Sequence, residues 1–218
     1  MDADALIENV KRRVLALAVD PPFRFKKTSR AAAQQYMRSM TTFEGYSQAE
    51  IAAIEARLGV QFTDVFRSYL RHMGKSRGYL FGGSDVAQPS QFEDFRQFGQ
   101  KLMHETSRSL DLPRDAIVFL SHQGYQFLFI QPRGGFDCAV MNYVETEEAA
   151  KQIAESFAAF LDAEVRLMEH NHRKSHETGG HYITVHKRGG TSFKYPARAS
   201  GDRATDRPFK LGDWWRLL

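Results

Sequence analysis

The stretch that decides the fold is residues 46–74, with the sequence YSQAEIAAIEARLGVQFTDVFRSYLRHMG. Ser47 and Glu50 have the spacing of a capping box, in which each side chain accepts a hydrogen bond from the other residue's backbone N–H and fixes a helix start. Apolar residues then recur at helical spacing up to Gly59, which suits the left-handed turn that ends many helices. A second amphipathic pattern ends at Gly74, so we expect two helices joined by a short turn.

Downstream of this hairpin the pattern predicts a helix, then strands, then a helix. Phe92, Phe95, Phe98 and Leu102 recur at intervals of three and four residues, which predicts a helix. Aromatic and β-branched segments separated by glycine-containing turns predict a three-stranded antiparallel meander over Ile117–Ser121, Tyr125–Ile130 and Asp137–Tyr143. The closing helix is predicted over residues 146–161, with Thr146 as its N-cap, and a short strand is predicted at Tyr79–Phe81.

The two flanks of the chain carry weaker signals. Residues 4–18 have apolar positions at helical spacing, and Arg30–Met40 is predicted to form a second, less regular helix. Near the other end, His181–Lys187 and Ser192–Tyr195 surround a Gly-Gly turn and predict a β-hairpin. Residues 196–213 are polar and irregular in composition, and residues 214–218 are apolar.

The segment from Tyr46 to Leu161 resembles the SUKH superfamily. The likeness lies in four motifs in the family's order: Ile51-x-x-Ile54-Glu55-x-x-Leu58-Gly59, Val65–Leu70 ending at Gly74, Leu112-Pro113 leading into Ile117–Phe119 and Gly124, and Ser156-Phe157-x-x-Phe160-Leu161. Where the family usually has Leu-Pro, this chain has Phe62-Thr63, and Thr63 can still cap a helix.

The resemblance implies an α+β fold, with a mixed or antiparallel meander and helices packed on one side of it. We expect an N-terminal helical extension over residues 1–45, the SUKH-like domain over 46–161, and a basic C-terminal extension over 162–218 with a β-hairpin and an apolar end. Many bacterial members of this family are immunity proteins and not enzymes. The resemblance therefore implies that the chain binds a cognate secreted toxin domain and neutralises it by occluding its active site.

The charge of the chain is unevenly distributed. The 218 residues carry a net charge of +4, with a pI near 9.2. By segment, the net charge is +3 over residues 1–45, −5 over 46–169 and +6 over 170–218. Since charge distribution bears on partners more than on fold, the acidic middle is the predicted contact surface for a basic toxin cleft. The predicted toxin-binding residues are Glu93, Asp94, Asp111, Asp115, Glu145, Glu147 and Glu148.

Two other functions are consistent with the same residues. A regulatory scaffold that binds proteins, like the family's eukaryotic members, would use the flanks as interaction arms. A nucleic-acid-binding accessory would use the basic C-terminal segment, where cations alternate with aromatic rings as single-stranded nucleic acid requires. No recognised nucleic-acid-binding motif accompanies those residues, so nucleic acid is the less favoured partner.

Catalytic and cofactor motifs are missing from the sequence. There is no Gly-x-Ser-x-Gly elbow, no P-loop and no dinucleotide fingerprint, so no cofactor is predicted. The single cysteine, Cys138, lies in a predicted strand and is interpreted as a buried apolar residue. A histidine cluster runs from His170 to His186, but it lacks regular ligand spacing and is interpreted as a polar linker and not a metal site. We expect a chain that is not an enzyme.

The sequence also predicts a compartment. No apolar run approaches the roughly 20 residues that span a bilayer, so no membrane association is expected. Lys11, Arg12 and Arg13 interrupt the only candidate signal-peptide core, which favours a cytoplasmic protein.

Overall fold

The elements of the fold are taken from a computed structural model, which describes residues 2–106, 110–145, 147–185 and 191–194. The helices are α1 (Ala3–Val19), α2 (Arg30–Thr41), α3 (Gln48–Leu58), α4 (Asp64–Met73), α5 (Phe92–Thr106) and α6 (Phe157–Glu177). The strands are β1 (Phe23–Phe25), β2 (Phe43–Glu44), β3 (Ser76–Arg77), β4 (Asp85–Val86), β5 (Ile117–His122), β6 (Gln126–Ile130), β7 (Val140–Val144), β8 (Lys151–Ala154), β9 (His181–Val185) and β10 (Thr191–Lys194).

The predicted helical hairpin is confirmed as α3 and α4. The backbone N–H of Glu50 donates to Ser47 Oγ at 3.2 Å, and the N–H of Ser47 donates to Glu50 Oε2 at 2.7 Å, so the capping box is complete. Gly59 ends α3 with a φ of 65°. Thr63 accepts from the N–H of Phe66 at 3.4 Å and caps α4. Local side-chain chemistry therefore fixes the start of both helices.

The central sheet has five antiparallel strands in the order β4-β5-β6-β7-β8. Its three middle strands are the predicted meander. The α+β class is confirmed by this sheet together with the six helices of the described residues. Two predictions here are wrong: the Tyr79–Phe81 segment is a turn and not a strand, and Cys138 precedes β7 and does not lie in it.

The predicted helix over residues 146–161 is also wrong, because β8 (Lys151–Ala154) lies in the middle of that range and α6 begins only at Phe157. The start of α6 is fixed by two side chains. Ser156 Oγ accepts from the N–H of Ala159 at 3.0 Å, and the Asp137 carboxylate accepts from the N–H groups of Phe157 and Ala158, each at 3.0 Å. Because Asp137 is distant in sequence, local spacing did not reveal this helix start.

Helices cover both faces of the sheet, so the prediction that they pack on one side is wrong. Phe119 and Leu128 face a core shared with α1, α4 and α6. Val118 and Phe127 face a second core formed with Leu102 and other residues of α5. The physical reason is that β5 and β6 are buried along their whole length, and a strand that is apolar on both faces needs a layer on each side.

The predicted N-terminal helix is confirmed as α1, which packs against α4 and α6. Ile7, Val10 and Val14 are buried in the main core. The Arg13 guanidinium donates to both carboxylate oxygens of Glu169 at 2.7 and 2.8 Å and to Asp162 at 2.6 Å, which ties α1 to α6. Helix α1 of the N-terminal extension is therefore part of the folded body.

Helix α6 runs across the predicted boundary at residue 161 and continues to Glu177. The β-hairpin is confirmed as β9 and β10, and β9 also pairs in parallel with β1. Residues 195–218, with the predicted irregular segment and apolar end, lie outside the described residues.

Candidate partner-binding surface

A groove of about 530 Å³ lies along the open edge of the central sheet, between β4 and α5. We call it the β4 groove. Strands β3, β4 and β5, helix α5 and the turns beside them supply its lining, which is Arg77, Ser84, Asp85, Val86, Gln91, Asp94, Phe95, Phe98 and Ser121. Its volume is within the range of sites that bind small ligands or a few residues of a peptide.

The groove exists because β4 is short and α5 begins close to it. Asp85 pairs with Ser121 and Val86 with Leu120, after which the chain turns into a single 3₁₀ turn at Pro89–Gln91. The Gln91 side chain accepts from the N–H of Gln88 at 3.0 Å and fixes that turn. Helix α5 then places Phe95 and Phe98 beside the sheet edge, where both rings are partly buried.

The charged groups of the β4 groove are not neutralised by one another. Asp85 and Asp94 are exposed, and neither carboxylate forms an ion pair within the described ranges. Arg77 is partly buried, and its Nε atom is buried without a hydrogen-bond partner. Because free carboxylates attract cations, Asp85 and Asp94 make the groove a candidate site for a cationic group.

The seven predicted acids do not form one patch. Asp94 lines the β4 groove, and Glu93 is beside it in the first turn of α5. Glu145 comes directly after β7. Val144 at the end of β7 pairs with Gln126, and Gln126 pairs with His122 at the end of β5, so Glu145 lies at the end of the sheet where β5 finishes. Glu147 and Glu148 follow in the connection to β8. Asp115 lies two residues before β5, at the opposite end of that strand.

Three of these acids already have structural partners. Asp111 accepts from the Gln100 amide at 3.0 Å and lies 3.3 Å from His104, and Glu147 pairs with Lys151. Asp115 is partly desolvated, which opposes its ionisation. Hydrogen bonds from Gln131 and Arg133 nevertheless hold the pKa of its carboxyl below the usual value. Glu93, Asp94, Glu145 and Glu148 form no ion pair within residues 2–106, 110–145, 147–185 and 191–194, so they remain the better candidates for binding.

A buried carboxyl lies on the other side of β4. Glu164 of α6 lines a small cavity of about 10 Å³ together with Phe81, Leu120, Phe160 and Ser84, among others. Ser84 Oγ lies 3.2 Å from Nδ1 of His122, a residue that is only 6% exposed. Although Glu164 is partly exposed as a residue, its carboxyl group is desolvated, and this burial raises its pKa to about 7.

Glu164→Gln is expected to stabilise the protein at alkaline pH. Because the folded-state pKa of about 7 lies above the ordinary value of 4.5, the stability linked to protonated Glu164 is complete below pH 4.5 and is lost as the pH rises through 7. Glutamine stays neutral, so at pH 8 the free energy of unfolding should rise by up to about 3 kcal/mol, with little change at pH 4. Urea unfolding of both proteins at the two pH values measures this. The exposed Glu155→Gln is the control, and an equal pH dependence of wild type and Glu164→Gln would contradict the prediction.

The side chains considered for chemistry are engaged in structure. Burial raises the pKa of the Cys138 thiol to about 11, so this cysteine is protonated at neutral pH. His172 and His176 both contact the Asp20 carbonyl oxygen at the end of α1, at 2.6 and 3.1 Å. These histidines belong to α6, so the predicted polar linker is wrong for this part of the cluster, while His186 lies outside the described residues. Among the described residues, no three His, Cys, Asp or Glu side chains converge on a metal position.

The sequence reasoning missed Arg77, Asp85 and Val86. These residues lie in a glycine-rich stretch, and β3 and β4 have two residues each. Strands of this length have no periodicity to detect. The available signal was the pair Asp85-Val86 itself. An acidic residue followed by a β-branched one, with Gly83 before them and Pro89 after them, is compatible with a charged edge strand.

The fold is thus an α+β domain with helices on both faces of an antiparallel sheet, and its charged surface groove lies at the open edge of that sheet. A model of the SMI1/KNR4 family (SUKH-1) matches residues 45–163. The chain therefore belongs to the SMI1/KNR4 family, as the resemblance implied. Among curated proteins, none matches the chain. Within the described residues, every helix is too short or too polar to cross a bilayer.

Proposed function

We propose that the chain is an immunity protein that binds a cognate bacterial toxin domain and neutralises it by covering the toxin's active site. Membership of the SMI1/KNR4 family supports a role in binding partner proteins such as toxins. The observation that carries the proposal is the β4 groove, where the carboxylates of Asp85 and Asp94 have no cationic partner in the described part of the chain.

Electrostatics give the groove its expected kind of partner. Toxin domains that act on nucleic acids or nucleotides present a basic cleft, because their substrates are anionic. Unpaired carboxylates on the immunity protein would speed the encounter with such a cleft, and their contact would exclude the substrate. Glu93 adds a further exposed carboxylate beside the groove. The acids that already have partners, such as Asp115, would contribute less.

The proposed action is binding and not catalysis. It requires no cofactor and takes place in the cytoplasm, where a delivered toxin would meet its target. The high pKa of Cys138 and the hydrogen bonds of His172 and His176 support this view, since each of these groups has a structural explanation.

Growth protection tests the proposal. The probe is the C-terminal domain of any large secreted protein found to be encoded beside the gene for this chain, expressed from an inducible promoter in a laboratory bacterium. Co-expression of the full chain is expected to restore colony counts at least 100-fold. A toxin domain from an unrelated locus is the control and should remain lethal. Absence of rescue, with the chain present in soluble form and no complex formed on mixing, would overturn the proposal.

A further inference from the structure

We propose that the β4 groove binds an extended segment of the partner that carries a lysine or arginine, and that this segment adds to the central sheet as a strand beside β4. The inference rests on the proposed function in one respect, because it names the part of the toxin that the immunity protein would hold. The groove itself is a feature of the described residues and is tested separately below.

The backbone at the sheet edge presents an N–H and a C=O group that a further strand can bond. Strand β4 is an outer strand of the five-stranded sheet. The N–H of Ala87 donates to the carbonyl of Phe119 at 2.9 Å, which makes this a hydrogen-bonded pair. Since such pairs alternate along an antiparallel ladder, the neighbouring Val86 is at a non-hydrogen-bonded position and its N–H and C=O point away from β5. In the described part of the chain, these two groups bond to no other element.

The side chains lining the groove define the chemistry of the added strand. Asp85 and Asp94 carry negative charge without ion-pair partners in the described ranges, so a cationic side chain is the complementary group. Phe95 and Phe98 provide apolar surface for the residues on either side of that cation. In peptides bound by strand addition, backbone hydrogen bonds give affinity and pockets for alternate side chains give specificity.

Arg77 supplies the remaining contact. Its side chain lines the same groove, and its Nε–H is buried behind that surface without a hydrogen-bond partner. In the proposed complex the side chain turns toward the added strand, where a carbonyl oxygen satisfies this donor. The combination of one buried donor and two exposed acids favours a peptide over a simple cation, because a cation alone would leave Arg77 unsatisfied.

A random library of 12-residue peptides on phage, panned against the full chain, tests the inference without knowledge of the toxin. Enriched peptides are expected to contain a lysine or arginine flanked by apolar residues. A synthetic peptide of the enriched sequence should bind in calorimetry, and Asp85→Asn with Asp94→Asn should weaken it at least tenfold. Glu155→Gln with Glu177→Gln changes two exposed acids outside the groove, is the matched control and should leave binding unchanged.

The strand geometry has its own pair of variants. Val86→Pro removes the outward N–H, which the sheet does not use, whereas Val86→Ala keeps that N–H and shortens only the side chain. Val86→Pro should bind the peptide at least tenfold more weakly than Val86→Ala, with unchanged circular dichroism for both. Equal binding by these two variants, enrichment of peptides without a basic residue, or no enrichment at all would overturn the inference. If the full chain still protected growth against the toxin while the peptide experiments gave such results, the proposed function would hold and only the groove would be excluded as its site.

Discussion

Replacement of Phe66 by alanine is expected to lower the free energy of unfolding by about 3–5 kcal/mol. The Phe66 ring is fully buried at the point where α4 meets the sheet and α6. It lies 5.1 Å from the Phe157 ring, 5.2 Å from Phe62 and 6.3 Å from Phe119, measured between ring centroids. The surrounding rings belong to different elements, so they cannot close together to fill the space that alanine would leave.

Urea unfolding of the variant and the wild type measures this cost. The control is Phe136→Ala, which makes the same chemical change at a side chain that is 50% exposed, and its cost should stay below about 1 kcal/mol. Equal costs for the two substitutions would contradict the packing described for the main core.

The second large effect is expected at the β4 groove. Asp85→Lys with Asp94→Lys should weaken binding of the toxin domain about 100- to 1000-fold, which is about 3–4 kcal/mol of binding free energy. The reason is that each substitution replaces attraction to a basic surface with repulsion from it, at side chains that have no internal partner to lose. Surface plasmon resonance at two salt concentrations measures the affinity and the part of the binding free energy that salt screens.

The matched control carries the same change in net charge at other positions. Glu155→Lys with Glu177→Lys alters two exposed acids outside the groove and should weaken binding less than about tenfold, through long-range steering alone. If both double variants lost the same affinity, net charge and not the groove would account for binding, and the site would be wrong.

The sequence predicts best those elements whose signals are local. Ser47, Glu50 and Gly59 lie within one helix and its caps, so residue spacing alone fixed the bounds of α3. The closing helix was misplaced because the apolar spacing of residues 149–161 continues through β8, and because Asp137, which helps to cap α6, is far away in sequence. Interactions between distant residues are where single-sequence reasoning fails here.

The candidate site was predicted in part, for a related reason. Charge counts selected Asp94 as a candidate binding residue, and Asp94 lines the β4 groove. The same counts could not separate Asp115, which is engaged by Arg133, from acids without an ion-pair partner in the described ranges. Asp85 and Arg77 join the groove only because β4 pairs with β5 and β3 with β2, which no local pattern reveals.

Stoichiometric inhibition tests the central claim most directly. The purified full chain is titrated into the toxin domain against which it protects growth, and the toxin's own activity on its substrate is followed. We predict a linear loss of activity that ends at one equivalent of the chain, as expected for tight one-to-one occlusion of the active site. Full toxin activity at a tenfold excess of folded chain would contradict the account.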